Sequence, residues 1–359
     1  MNIRFDAGMM RKVQTTHRTW WAGQLDRPLV QVRMSTGDKW PEGVSGFQKF
    51  TAKYPDSLSA GEIVDSWQAH LERVVYIGDA FPQVWPNFGP GVMAAFTGAR
   101  LDRGESTVWF HPEGEPELAD IKVEYDENNR WLKRVKDIVA LANGRFAPWV
   151  SIGHTDLGGA MDVLSSFRPG DKLLMDLYDD PERVHQLEEQ LSEVWWRLYE
   201  EFHGVTAWRN ASSCWTPLLS EKKFYMLQSD FSYMIGPDMF VEFVLPRLAR
   251  WCALLDHAFY HLDGVGQLPH LDHLLALENL KGIQWVPGAG QPPEQKWPEV
   301  YGKIVAAGKL AQISFTGVKG LREFADNMDG LEKMAFIGWI TPAQEKEMMK
   351  LLDELNVPV

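Results

Sequence analysis

Cysteine is nearly absent: the 359 residues include two, Cys214 and Cys252. Neither sits in a CxxC or other paired spacing, so neither a disulfide scaffold nor a zinc ribbon is expected. Long apolar runs are missing too. No stretch approaches the roughly 20 residues a membrane span requires, and the opening MNIRFDAGMMRKVQTTHRTWW lacks the apolar core of a secretory leader. Positive charge is in deficit: 36 Lys and Arg face 49 Asp and Glu, a formal net charge of -13. No basic run of the kind that grips phosphate backbones occurs, so nucleic acid is not an expected partner. GxxxxGK[ST], a strand-coupled GxGxxG and GxSxG are all lacking, which leaves nucleotide folds and the hydrolase elbow unsupported. Together these absences point to the reducing cytoplasm and to no membrane.

Apolar residues, by contrast, make up 45% of the chain, enough for a large core. A chain of this length can form a single α/β barrel rather than two domains. Tryptophan is abundant, at 16 residues. Those indoles either fill a core of large side chains or wall a pocket suited to a sugar, a cationic methylamine or a flat macrocycle.

Strand-length apolar runs alternate with amphipathic helical stretches, the pattern of βα units around a parallel sheet. The runs fall at 28–34, 74–78, 147–153, 204–210, 228–235, 258–262, 282–286 and 309–315. They number eight, as a closed (β/α)8 barrel needs, and all are expected to run parallel. Helix starts are marked at Asp180-Pro181, at Gly236-Pro237 with a kink near Pro246, and at Thr341-Pro342 with Gln344 completing a capping box. Segments 35–72 and 87–130 read as loops and short elements laid over one domain spanning residues 1–359.

In such a barrel the chemistry lies in loops after the strands. The strongest cluster there is Tyr260-His261-Leu262-Asp263-Gly264. Two positions apart on a strand, His261 and Asp263 point to the same side. They form a metal site, a general base with its orienting acid, or a hydrogen-bonded pair at the rim. His154 and Asp156 repeat that spacing, with Asp162 and Arg168 beyond them. Arg209 and Cys214 follow the fourth run, Asp230 lies in QSDFSYMIGP, and Gln284-Trp285 in QWVPGAG offers a polar contact and a stacking platform. His270 and His273 read as solvated or capping residues.

The succession HTDLGGAMDVLSSFRP, LLMDLYDDPERVHQL, QSDFSYMIGPDMFVEFVLPRLA, YHLDG and QWVPGAG resembles the uroporphyrinogen decarboxylase superfamily, over roughly residues 70–355. The resemblance implies a single barrel with N-terminal extensions and long loops, and an enzyme. True decarboxylases carry an arginine-rich N-terminal motif that grips substrate carboxylates. Here RPLVQVRMSTGDKW offers only Arg27 and Arg33, so porphyrinogen decarboxylation is not expected. The decarboxylases' essential aspartate corresponds loosely to Asp79 in YIGDAFP. The methyltransferase branch binds zinc through H-x-C and a later cysteine, where this chain has His261 with Asp263, and Ser314.

The expected function is therefore metal-dependent methyl transfer between a small methylated substrate and a corrinoid carried by a partner protein. Zinc would sit at His261, Asp263 and Cys214. Asp79, Asp156, Asp230 and Asp263 are the catalytic candidates, and His154, Arg209, Gln284 and Trp285 the substrate-binding ones. Two alternatives stay open: a carbohydrate-active or carbon–carbon lyase enzyme using carboxylate pairs, and a non-enzymatic binder of a small ligand or corrinoid. A homodimer is compatible with either.

Overall fold

Four strands with hardly a polar break, FYMLQ, HAFYHLD, LKGIQWV and LAQISFT, build the middle of the molecule. Their side chains are buried on both faces, as expected where helices cover a parallel sheet. The computed structural model describes residues 1–206 and 211–359. Its strands are β1 (Leu29–Ser35), β2 (Val74–Gly78), β3 (Gln83–Val84), β4 (Arg100–Arg103), β5 (Val108–His111) and β6 (Ser151–Ile152). They continue as β7 (Phe224–Gln228), β8 (His257–Asp263), β9 (Leu280–Val286), β10 (Leu310–Thr316) and β11 (Met334–Ile340).

The fold is mixed α/β. Seven strands form one sheet in the order β2-β1-β11-β10-β9-β8-β7, parallel throughout except that β2 runs antiparallel to β1. A parallel β3–β6 ladder and an antiparallel β4–β5 hairpin stand apart from it. Among the described residues no ladder closes the large sheet. No helix described is long and apolar enough to cross a membrane.

Several expected strands need correction. The run 74–78 is a strand but antiparallel, so eight parallel strands do not follow from that reading. The run 228–235 is shifted: β7 ends at Gln228, and Asp230–Met234 is a tight 3-10 turn. Residues 204–206 close a helix, and 207–210, including Arg209, lie outside the described residues. Both β3 and β11 went unread.

Helix signals fare better. Pro181–Thr206 buries Val184, Leu187, Leu191, Trp195, Leu198 and Phe202, the i, i+3, i+4 stripe of a helix lying on a sheet. Near Pro246 the helix is irregular, with a π turn over Phe240–Val244. The Thr341–Gln344 capping box forms as read. The segment 35–72 is more regular than expected, since Ala60–Leu71 is a helix with a Ser59–Glu62 capping box.

The parallel register sets a polar row at one level of the sheet. Gln228 pairs with His261, His261 with Gln284, and Gln284 with Gln312. Paired positions face the same side, so the four side chains form one row.

Candidate metal centre

The carboxyl ends of β7 and β8 deliver the site. His261 and Asp263 lie two apart on β8, and Asp230 follows β7 by two residues. One ligand atom from each of Asp230, His261 and Asp263 lies within 4.8 Å of the other two, and no other such group occurs among the described residues. His261 Nε2 is 3.7 Å from Asp263 Oδ2. On the far side of the ring Nδ1 donates to Gln284 Oε1 at 2.5 Å, which leaves Nε2 as the atom free to bind a cation. Trp215 meets the ring edge-on at 5.2 Å.

Charge is unbalanced here. Burial alone would lower the His261 pKa, but the Asp263 hydrogen bond and the Asp230 charge outweigh it and hold the imidazole above its ordinary value. Asp230 is reachable by solvent yet sits on the floor of a concavity. Desolvation, then the Asp162 charge, pushes its pKa up to about 7. Asp156 rises to about 6 through burial, opposed by N–H donors from Gly158 and Gly91.

Asp162 is the neighbour that sequence reasoning noted but did not assign. It occupies the first turn of the helix Ala160–Phe167, accepting from Gly159 N at 3.0 Å and from Phe231 N at 2.8 Å. A Cβ on Gly159 would stand 2.3 Å from the Gln228 carbonyl oxygen, so only glycine lets this helix start abut β7. The sequence GGAMD, with no Ser or Thr to cap the helix, held the signal: a glycine followed by an acid three residues into a helix.

Beside the triad opens a cleft of about 370 Å³ lined by Asp162, Asp230, Phe231 and Met234 on one side and the β5 residues Trp109, Phe110 and His111 on the other. This hairpin wall was also missed, because 87–130 reads as irregular.

The remaining sequence candidates are not gathered at the triad. Asp79 is buried at the amino-terminal end of β1, where Arg27 donates to both its oxygens (2.7 and 3.0 Å) and Val30 N adds a third bond. Cys214 is fully buried, outside the ligand group, with its thiol pushed up to about 12 by desolvation. His154 turns onto Tyr199 at 4.8 Å, burial pulls its pKa down to about 3, and neither ring nitrogen has a hydrogen-bond partner among the described residues. Trp285 is no stacking platform: it is fully buried and packs against Trp297. Being next to Gln284 on a strand, it faces the other side. His270 is buried rather than solvated, with Nε2 at 2.9 Å from Ser232 O, while Arg168 is tied to Asp176. The tryptophans belong largely to the core, with Trp20, Trp67, Trp195, Trp251 and Trp285 fully buried.

A scan of protein-family models returned no match, and no curated protein matches the chain. What fold and site define is a mixed α/β protein with a candidate Asp–His–Asp centre at the carboxyl ends of parallel strands.

Proposed function

We propose that this chain is a uroporphyrinogen decarboxylase-like enzyme that transfers a methyl group between a small methylated substrate and a corrinoid on a partner protein. In this reading β3 and β6 complete a (β/α)8 barrel with β1 and β7–β11. Support for closure comes from the segment 214–217. Gln83 of β3 donates to Cys214 O, Gln31 of β1 to Pro217 O, and Thr216 to Gln312 of β10, so one segment spans strands from both ladders.

The observation that carries the reading is the convergence of Asp230, His261 and Asp263 on one point. One imidazole and two carboxylates fit zinc or another borderline divalent ion, and no thiolate joins them. When bound, the ion supplies Lewis-acid polarisation of the heteroatom that bears the methyl group. Gln284 fixes the His261 ring so that Nε2 faces Asp263. Asp162 holds the Phe231 backbone and, with it, the turn that presents Asp230. Hard donors favour a substrate methylated on oxygen or nitrogen over a thiol.

One observation favours a second reading. The close Asp162–Asp230 pair, with Asp230 held at about 7, resembles an acid–base couple of the kind a lyase or decarboxylase uses near neutral pH. Turnover distinguishes the two. Protein loaded with zinc is mixed with reduced cobalamin and methylated amines or aryl methyl ethers, and methylcobalamin is followed by absorbance. Zinc-dependent methylation that His261→Ala abolishes supports methyl transfer; chelator-insensitive activity on a carboxylated substrate would contradict it.

A further inference from the structure

We infer that the cleft between the β4–β5 hairpin and Asp230 binds a compact organic cation of the N-methylated ammonium class, seated against Trp109 and facing the Asp162 and Asp230 carboxylates. This goes beyond the proposed function and stands apart from its chemistry, because an ammonium nitrogen has no lone pair for a metal to polarise. Binding itself requires neither metal nor corrinoid.

Size comes first. A cleft of about 370 Å³ lies at the small end of the range for ligand sites, roughly 300–1,000 Å³, and suits a molecule of few heavy atoms.

Charge narrows the class. Asp162 and Asp230 line the cleft, and no Lys or Arg does so among the described residues; the only basic side chain in the wall is His111. Three carboxylates elsewhere are matched by Arg or Lys: Asp79 by Arg27, Asp176 by Arg168, Glu201 by Lys136. At the cleft the single His261 imidazole serves both Asp230 and Asp263, and no described Lys or Arg in the wall offsets Asp162. An anionic ligand would add to the repulsion between the carboxylates, and a neutral one would leave it standing.

The wall supplies the third constraint. Trp109 is 58% exposed and Met234 52%, whereas five other indoles are wholly buried. A large aromatic face left open beside carboxylates is the arrangement that attracts a soft, weakly hydrated cation, whose methyl groups lie on the ring while its charge faces the acids. A primary ammonium would hold its water more tightly, so N-methylation favours entry.

The test compares two probes of one shape. Choline and its neutral isostere 3,3-dimethyl-1-butanol are titrated by calorimetry into the full chain, once stripped of metal and once with zinc. The expected result is one choline site per chain, binding at least about tenfold tighter than the alcohol. Trp109→Leu, a change on an exposed hairpin that leaves the core untouched, should weaken choline by about three- to tenfold and leave the alcohol unchanged. Asp162→Asn should erase the preference for charge. Equal binding of the two probes, no choline binding, or a Trp109→Leu variant that binds choline as well as the parent would each overturn the inference. Zinc titration of the same samples keeps the two claims apart. Choline preference without zinc binding removes the metal reading alone, and zinc binding without choline preference removes this one alone.

Discussion

Two acidic sites in this sheet use the same residue type to different ends. At the amino-terminal start of β1, Asp79 is closed off: Arg27 takes both oxygens, the Val30 amide adds a bond, and the carboxyl is 1% exposed. At the carboxyl ends of β7 and β8, Asp230 and Asp263 share a single imidazole, and Asp230 lines a cleft. The first arrangement leaves no valence for a ligand. The second leaves carboxylate oxygens and a ring nitrogen pointing at a common space, with Asp162 and Asp156 adding negative charge close by. A carboxylate clamped by a guanidinium of its own chain holds structure, and one without such a clamp is available to a ligand.

Breaking the first site should have the largest effect on stability. Asp79→Asn leaves the Arg27 guanidinium buried without its counter-charge, and removing one partner of such a pair costs about 3–5 kcal/mol. Urea unfolding should show that loss, whereas Asp230→Asn should change stability by less than about 1 kcal/mol at pH 7. Equal losses would erase the distinction between the two sites.

A smaller effect is expected behind the triad. Gln284→Ala removes the acceptor that orients His261, and outer-shell partners of metal-binding histidines are worth about 10–100-fold in affinity. Competition against a zinc chromophore measures it. Unchanged affinity would show that the ring is held by packing against Trp215 alone.

The smallest effect concerns pH. Asp230 binds its proton more tightly in the folded chain, at about 7, than in the unfolded chain, near 3.9. Between those values the folded state holds more protons, so metal-free stability falls as pH rises from about 4 to 7. Asp230→Asn should therefore raise Tm at pH 8, by about 2 °C given the solvent access of this carboxyl, and by far less at pH 5. A gain that is larger at pH 5 than at pH 8 would reverse the sign of the argument.

The parts of this arrangement legible in the sequence are those set by local period. HAFYHLD declares a strand, and the spacing of two puts His261 and Asp263 on one side, as the 3.7 Å contact bears out. Asp180-Pro181 and Thr341-Pro342 mark helix starts because capping is a matter of a few adjacent residues. What failed depended on which face a residue meets. Trp285 is one position from Gln284 and thereby faces Trp297 instead of the cleft. His154 lies beyond a two-residue strand, too short to fix its side, and turns onto Tyr199. QSDFSYMI has the composition of a strand, but Asp230 begins a turn whose backbone is pinned at Phe231 by Asp162, 69 residues earlier. The bond from Asp162 has no local signature. MAFIGWI of β11 is apolar enough to be a strand, and the expected eight instead include the antiparallel β2 and residues 204–206, which close a helix.

The most direct measurement of the central claim is calorimetric titration of zinc into chelator-treated protein, wild type beside His261→Ala and Asp263→Ala, with circular dichroism to verify that each variant is folded. The account predicts one zinc per wild-type chain and a loss of at least about 100-fold in affinity for His261→Ala. Folded wild-type protein that takes up no zinc, or a His261→Ala variant that binds it as tightly as wild type, would contradict it.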